Sequence, residues 1–154
     1  MNPKGPIAVL AVLCALSTAC HGASFETPNR FAKLAESERY EQRATNPQGV
    51  VVAVRKIDLA EPASLNFWSE AVTQRLQGGQ GYALLGEKDV KAQTGHGGKL
   101  LYFGRDQNGH TFDYWVAVFP DHKRLYLLEA GGRRDRFDQA KAEIERAIAS
   151  LRID

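Results

Sequence analysis

The sequence predicts an α+β fold, one antiparallel β-sheet of about six strands covered on one or both faces by two main helices. Two observations carry this. Between residues 38 and 130 most apolar stretches are joined by short, turn-rich links of hairpin length, so consecutive strands pair antiparallel. Two other segments, after Pro62 and after Asp135, repeat apolar residues every three or four positions, as one buried helical stripe does. The strands are not separated one by one by helices, which excludes a doubly wound parallel sheet.

Taken in order, Glu38 to Ala44 and Val50 to Ile57 flank Thr45-Asn46-Pro47-Gln48-Gly49 and read as a hairpin. Val50-Val51-Val52-Ala53-Val54 is apolar on both faces, which predicts a covered, interior strand. Pro62 suits a helix's first turn, where its missing N–H is harmless. Leu65, Trp68, Val72 and Leu76 then form the stripe, and Gly78-Gly79 is expected to end it. Four strands follow at Tyr82–Val90, Lys99–Arg105, Thr111–Phe119 and Arg124–Ala130. Asn108-Gly109 is a strong hairpin signal because both residues tolerate positive φ. Tyr114-Trp115-Val116-Ala117-Val118-Phe119 is apolar on both faces and belongs mid-sheet. The closing helix takes Asp135 as its expected N-cap, with Phe137, Ala140, Ile144, Ile148 and Leu151 as its core stripe.

The N-terminal segment has a different character. Ile7 to Leu16 is an apolar run of about ten residues behind Lys4, far below the roughly 20 needed to span a bilayer. Leu16-Ser17-Thr18-Ala19-Cys20 resembles the bacterial lipoprotein signal, in which the cysteine receives a lipid and becomes the first residue after cleavage. Ser17 stands where that pattern prefers leucine. The alternative is an ordinary secretory signal cut after Ala19 or Ala23. Of the two cysteines in the chain, Cys14 leaves with residues 1–19, so Cys20 has no disulfide partner. A lone thiol in an oxidising compartment needs a use, and lipidation supplies one. The expected organisation is thus a signal at 1–19, a tether at 20–29 and one domain at 30–154. In the Gram-negative lipoprotein sorting pattern that this signal resembles, aspartate after the cysteine favours inner-membrane retention, so His21 there implies the outer membrane in an organism that has one.

The formal net charge of +2 falls by one with Lys4. Near-neutrality argues against a sequence-independent nucleic-acid binder, which needs a concentrated basic excess. No internal repeat is present, which argues against a solenoid.

Asn66-Phe67-Trp68, Gly97-Gly98-Lys99-Leu100-Leu101, Tyr114 to Phe119 and Leu125-Tyr126-Leu127-Leu128-Glu129-Ala130-Gly131-Gly132 follow the order hairpin, helix, meander, closing helix. This order resembles the PsbP-like α/β/α sandwich, a family that includes small bacterial lipoproteins. The resemblance is one of pattern over nearly all of residues 30–152. It implies a non-enzymatic module that docks on other proteins, often near a membrane.

No segment carries a catalytic signature, and no cofactor or metal is assigned. Gln77-Gly78-Gly79-Gln80-Gly81 follows a helix instead of opening one and lacks Gly-Lys-Ser/Thr, so it reads as a turn, not a phosphate loop. His96, His110 and His122 fall in hairpin loops, with His96 and His122 at one sheet end. A Ser69, His122, Asp121 set lacks a nucleophile elbow. Gly131-Gly132-Arg133-Arg134-Asp135-Arg136 places Arg133, Arg134 and Arg136 where a helix begins, a possible anion or partner contact beside the plainer reading of solvated arginines around a cap. Tyr102, Phe103, Phe112, Tyr114, Trp115 and Phe119 are core, unless one sheet face is left open for recognition. Two functions are expected to compete. One is a membrane-tethered binding or scaffold module with a protein partner. The other is a small envelope enzyme, metal-assisted or hydrolytic, using the loop histidines.

Overall fold

The computed structural model describes residues 22–154; the signal segment 1–19 and Cys20 lie outside the described residues. The elements run β1 (Ala23–Ser24), β2 (Ala32–Lys33), β3 (Gln42–Thr45), β4 (Val51–Asp58), α1 (Leu65–Gln80), β5 (Ala83–Lys91), β6 (Gly97–Gln107), β7 (His110–Asp121), β8 (Arg124–Arg133), α2 (Arg134–Ala149) and β9 (Arg152–Ile153). A seven-stranded antiparallel sheet has the order β2-β3-β4-β8-β7-β6-β5, and β1 pairs with β9 in a separate ribbon. The six predicted strands are β3 to β8, and β2 adds a short edge beyond the first hairpin. The hairpin joins the meander through β4 and β8, in register Val52↔Ala130 and Val54↔Leu128. Both strands that are apolar on each face, β4 and β7, are interior, as their composition requires.

Residues alternate across the sheet, so each strand feeds two cores. On one face Trp115, Ala117, Phe119, Tyr126, Leu128 and Val54 pack with Phe137, Ile144 and Ile148 of α2. On the other, Leu101, Phe103, Val116, Val118, Leu125 and Leu127 pack with Leu76 of α1 and the half-buried Trp68 and Val72. Both faces are covered, so the fold is an α/β/α sandwich and the strand aromatics are largely core.

Four local expectations are corrected. The helix α1 runs through Gly78 and Gly79; Gly81 ends it, at φ 69°, with its N–H returned to the Leu76 carbonyl. Glycine weakens a helix without stopping it, whereas a left-handed residue diverts the chain. Pro62 lies before α1, whose N-cap is Ser64, its hydroxyl accepting from Phe67 N–H at 3.2 Å. The N-cap position of α2 is Arg133, not Asp135, and no side chain caps it. Finally, part of the expected 20–29 tether is built into the domain. Ala23 pairs with Ile153, Phe25 is buried in the α2-side core, and Gln42 holds the Phe25 backbone through both its amide oxygen and its amide nitrogen.

Candidate functional site

Three strands set a polar group into the otherwise apolar α1 face. Glu129 sits on β8 between Leu127 and Gly131, opposite Ala53 of β4 and Val116 of β7. Arg55 and Tyr114 lie diagonally from it on those strands, within reach of long side chains. Arg55 Nη2 donates to Glu129 Oε1 at 2.9 Å, and the Tyr114 hydroxyl donates to the same oxygen at 2.7 Å. The Glu129 side chain is only 10% exposed, against 32% for Arg55. A carboxylate this buried requires such partners. Burial, then the Glu129 charge and hydrogen bond, hold the Tyr114 phenol far above its ordinary value, so it remains a protonated donor. Gly131 makes room for this arrangement, since a Cβ there would stand 3.0 Å from the Tyr114 ring.

This triad lines an open cleft of about 670 Å³. The cleft exists because α1 packs mainly over β5, β6 and β7, leaving part of β8 and β4 uncovered. Its walls are α1, with Trp68, Val72 and Arg75, and the Ser37–Tyr40 turn, with Arg39 and Tyr40. Ile57, Leu125 and Leu127 supply apolar surface between them. Three arginines therefore face one carboxylate. Among the described residues Arg39 and Arg75 have no ion-pair partner, and the Arg55 Nε and Trp68 Nε1 hydrogens are buried without an acceptor.

The three arginines at the start of α2 each have a carboxylate partner within the chain. Arg134 reaches across to β7 and forks onto Asp113, with contacts of 2.7, 3.0 and 3.2 Å. That hydrogen bond raises the guanidinium's pKa further. Arg133 and Arg136 each lie 3.2 Å from Asp135. Two carboxylates thus occupy the three cations, and Gly131 and Gly132 serve close packing, Gly132 against Val50. Arg134 thereby pins the start of α2 to the sheet, while Arg133 and Arg136 stay about half-exposed beside Asp135.

Of the loop histidines, His96 and His122 do share a sheet end. Their Nε2 atoms lie 3.9 and 3.7 Å from Asp121 Oδ1, but His122 is 94% exposed and neither lines the α1-side cleft. Among the described residues no group of three or more His, Cys, Asp or Glu side chains is placed to hold a metal ion. The Ser69 hydroxyl is buried and donates to the Leu65 carbonyl at 2.8 Å, so it is not joined to His122 and Asp121.

Nothing in the local sequence around Arg39, Tyr40, Arg55 and Arg75 marks them as neighbours, and the spacing of Trp68 and Tyr114 predicts only core. One signal was present. Glu129 is the lone charge inside Leu125-Tyr126-Leu127-Leu128-Glu129-Ala130, a strand apolar on both faces, and a charge there needs a partner.

No family model and no curated protein matches the chain. Solved structures do. The chain is similar to LpqN of Mycobacterium tuberculosis, described as involved in cell envelope biogenesis, at 15% identity and a TM-score of 0.63, with 85% of this chain and 82% of that one covered. It is also similar to cyanobacterial PsbP (CyanoP) of Synechocystis sp. PCC 6803, at 13% identity and a TM-score of 0.59, over 97% of this chain and 100% of that one. The fold is PsbP-like.

Proposed function

We propose that the chain is a lipid-anchored protein of the bacterial cell envelope that works as a non-catalytic binding or scaffold module. The observation that carries the binding half is the α1-side cleft, whose polar groups are donors and ion-pair partners set around an apolar lining. The anchor half rests on Cys20 and its partnerless thiol. LpqN, which shares the fold, is itself described as acting in envelope biogenesis, which supports the same compartment. Among the described residues no helix is long and apolar enough to cross a membrane.

The fold supports a short anchor. Only His21 and Gly22 separate Cys20 from Ala23, which is paired with β9, so the leash reaches about 10 Å at full extension. The domain is held against the bilayer surface by this short link. Ala23 and Phe25 belong to the α2-side core, so the tether leaves from that side of the sheet and the cleft lies on the other. His21 favours the outer membrane.

Cys20→Ala tests the anchor. The variant loses labelling by a fatty-acid probe and moves out of the membrane fraction; retention in that fraction refutes the anchor. Capture of the lipidated protein from membranes in mild detergent tests the scaffold role, for which recovery of a specific protein partner is the expected result.

A further inference from the structure

We propose that the α1-side cleft is a binding site for an amphiphile, an apolar body bearing an anionic oxygen head group, carboxylate or phosphate. The inference rests on the binding-module reading and specifies its ligand. A volume of about 670 Å³ lies within the range of small-molecule pockets, roughly 300–1,000 Å³. Val72, Ile57, Leu125 and Leu127 provide an apolar lining for the body.

The polar groups are unbalanced in one direction. Glu129 is the single carboxylate of the cleft, and Arg55 and Tyr114 already donate to it. Against it stand Arg39 and Arg75, exposed at the mouth and without ion-pair partners among the described residues. The Arg55 Nε and Trp68 Nε1 hydrogens are also left without acceptors. What the cleft lacks is negative charge beyond Glu129. Buried donors are rarely left unpaired in folded proteins, and guanidinium forks match carboxylate and phosphate oxygens. A neutral ligand would leave the excess charge unanswered, and a bare anion would leave the apolar lining wet.

The test uses the full chain carrying Cys20→Ala, so that no attached lipid competes. Dodecanoate, dodecyl phosphate, dodecyl maltoside and inorganic phosphate are titrated separately, each amphiphile below its micelle-forming concentration. Calorimetry gives affinity, and tryptophan emission reports the site. Trp68 lines the cleft while Trp115 is buried on the opposite face, so Trp68→Phe removes a signal that comes from the cleft. Saturable binding of at least one anionic amphiphile is expected, and their ratio identifies the head group. Dodecyl maltoside is expected to bind about tenfold more weakly, and the double variant Arg39→Gln/Arg75→Gln to lose about tenfold in anionic affinity. Inorganic phosphate alone gives no saturation. Arg39→Lys/Arg75→Lys recovers part of the loss, which separates lost charge from lost structure, and Arg152→Gln, an exposed charge on β9, changes nothing.

Equal binding of dodecyl maltoside overturns the proposal, as does unchanged affinity in the double variant or no saturable binding by either anionic amphiphile. Membrane fractionation of the same Cys20→Ala chain tests the anchor separately, so either conclusion can fail without the other.

Discussion

The two faces of the sheet are built from the same strands, yet they are finished differently. On the α2 face the helix buries five side chains, Phe137, Ala140, Ile144, Ala147 and Ile148. Phe137 meets Trp115 edge-on at a centroid distance of 5.1 Å, and Trp115 meets Tyr102 in the same way at 4.8 Å. The one buried carboxylate there, Asp113, lies at the helix start and is closed off by the Arg134 fork. On the α1 face the helix fully buries only Ser69 and Leu76. Its buried carboxylate, Glu129, lies in the wall of a cleft. One face spends its side chains on packing, and the other leaves part of its surface open with charge inside it. Stability should therefore concentrate on the α2 face and binding on the α1 face.

The largest expected effect tests that division directly. Phe137→Ala removes a fully buried ring from a dry core and should cost about 3–5 kcal/mol in denaturant unfolding. Leu76→Ala, the matching truncation on α1, should cost about 2–3 kcal/mol, because this helix has little else buried to lose. Equal losses, or the reverse order, would break the comparison.

Next comes the Glu129 network. Glu129→Gln keeps the shape but removes the charge that Arg55 answers, and should destabilise by about 1–3 kcal/mol. Asp113→Asn should cost less, about 1 kcal/mol, since Arg134 is 45% exposed and can return to water. Paired chemical denaturation of the two variants decides the order.

A smaller effect appears only in alkali. The Tyr114 phenol is raised above its ordinary 10.0 by burial and by Glu129. Below pH 10 the phenol is protonated in both states and contributes no pH dependence. Above it the unfolded chain releases the proton and the folded chain keeps it, so stability falls, by up to about 1.4 kcal/mol per pH unit from this group. Tyr114→Phe should flatten that part of the alkaline slope in urea melts between pH 9 and about 11. An unchanged slope would mean that Tyr114 is not the group responsible. The smallest effect is expected from Arg136→Gln on the outer side of α2, within about 0.5 kcal/mol, because its only ion pair is with the exposed Asp135. A larger loss would show that Arg136 does more than pair with Asp135 at the surface.

What the sequence determined by itself was the order and type of the main elements. Helical stripes, alternating strands and Asn-Gly turns are local patterns, so residues within a few positions of each other decide them. The buried stripe of α2 and the left-handed turn at Asn108 and Gly109 both follow from such neighbours. Locality leaves the exact helix ends open: Gly81, and not Gly78-Gly79, takes the left-handed turn that ends α1, and α2 begins one residue before Asp135. The Arg134–Asp113 fork joins two strands' worth of intervening chain, and nothing near Arg134 in the sequence announces it.

The cleft belongs wholly to the tertiary structure. Its members run from Arg39 to Glu129 and come from a turn, a helix and three neighbouring strands. Whether β4 would lie beside β8, and how far α1 would extend across the sheet, are questions of pairing and packing over most of the chain length. Those choices put Arg55 and Tyr114 on either side of Glu129 and left Arg39 and Arg75 at the mouth. Local patterns thus fixed which segments could form, because they depend on neighbours along the chain. Packing fixed which charges meet, because ion pairs and cavities depend on neighbours in space.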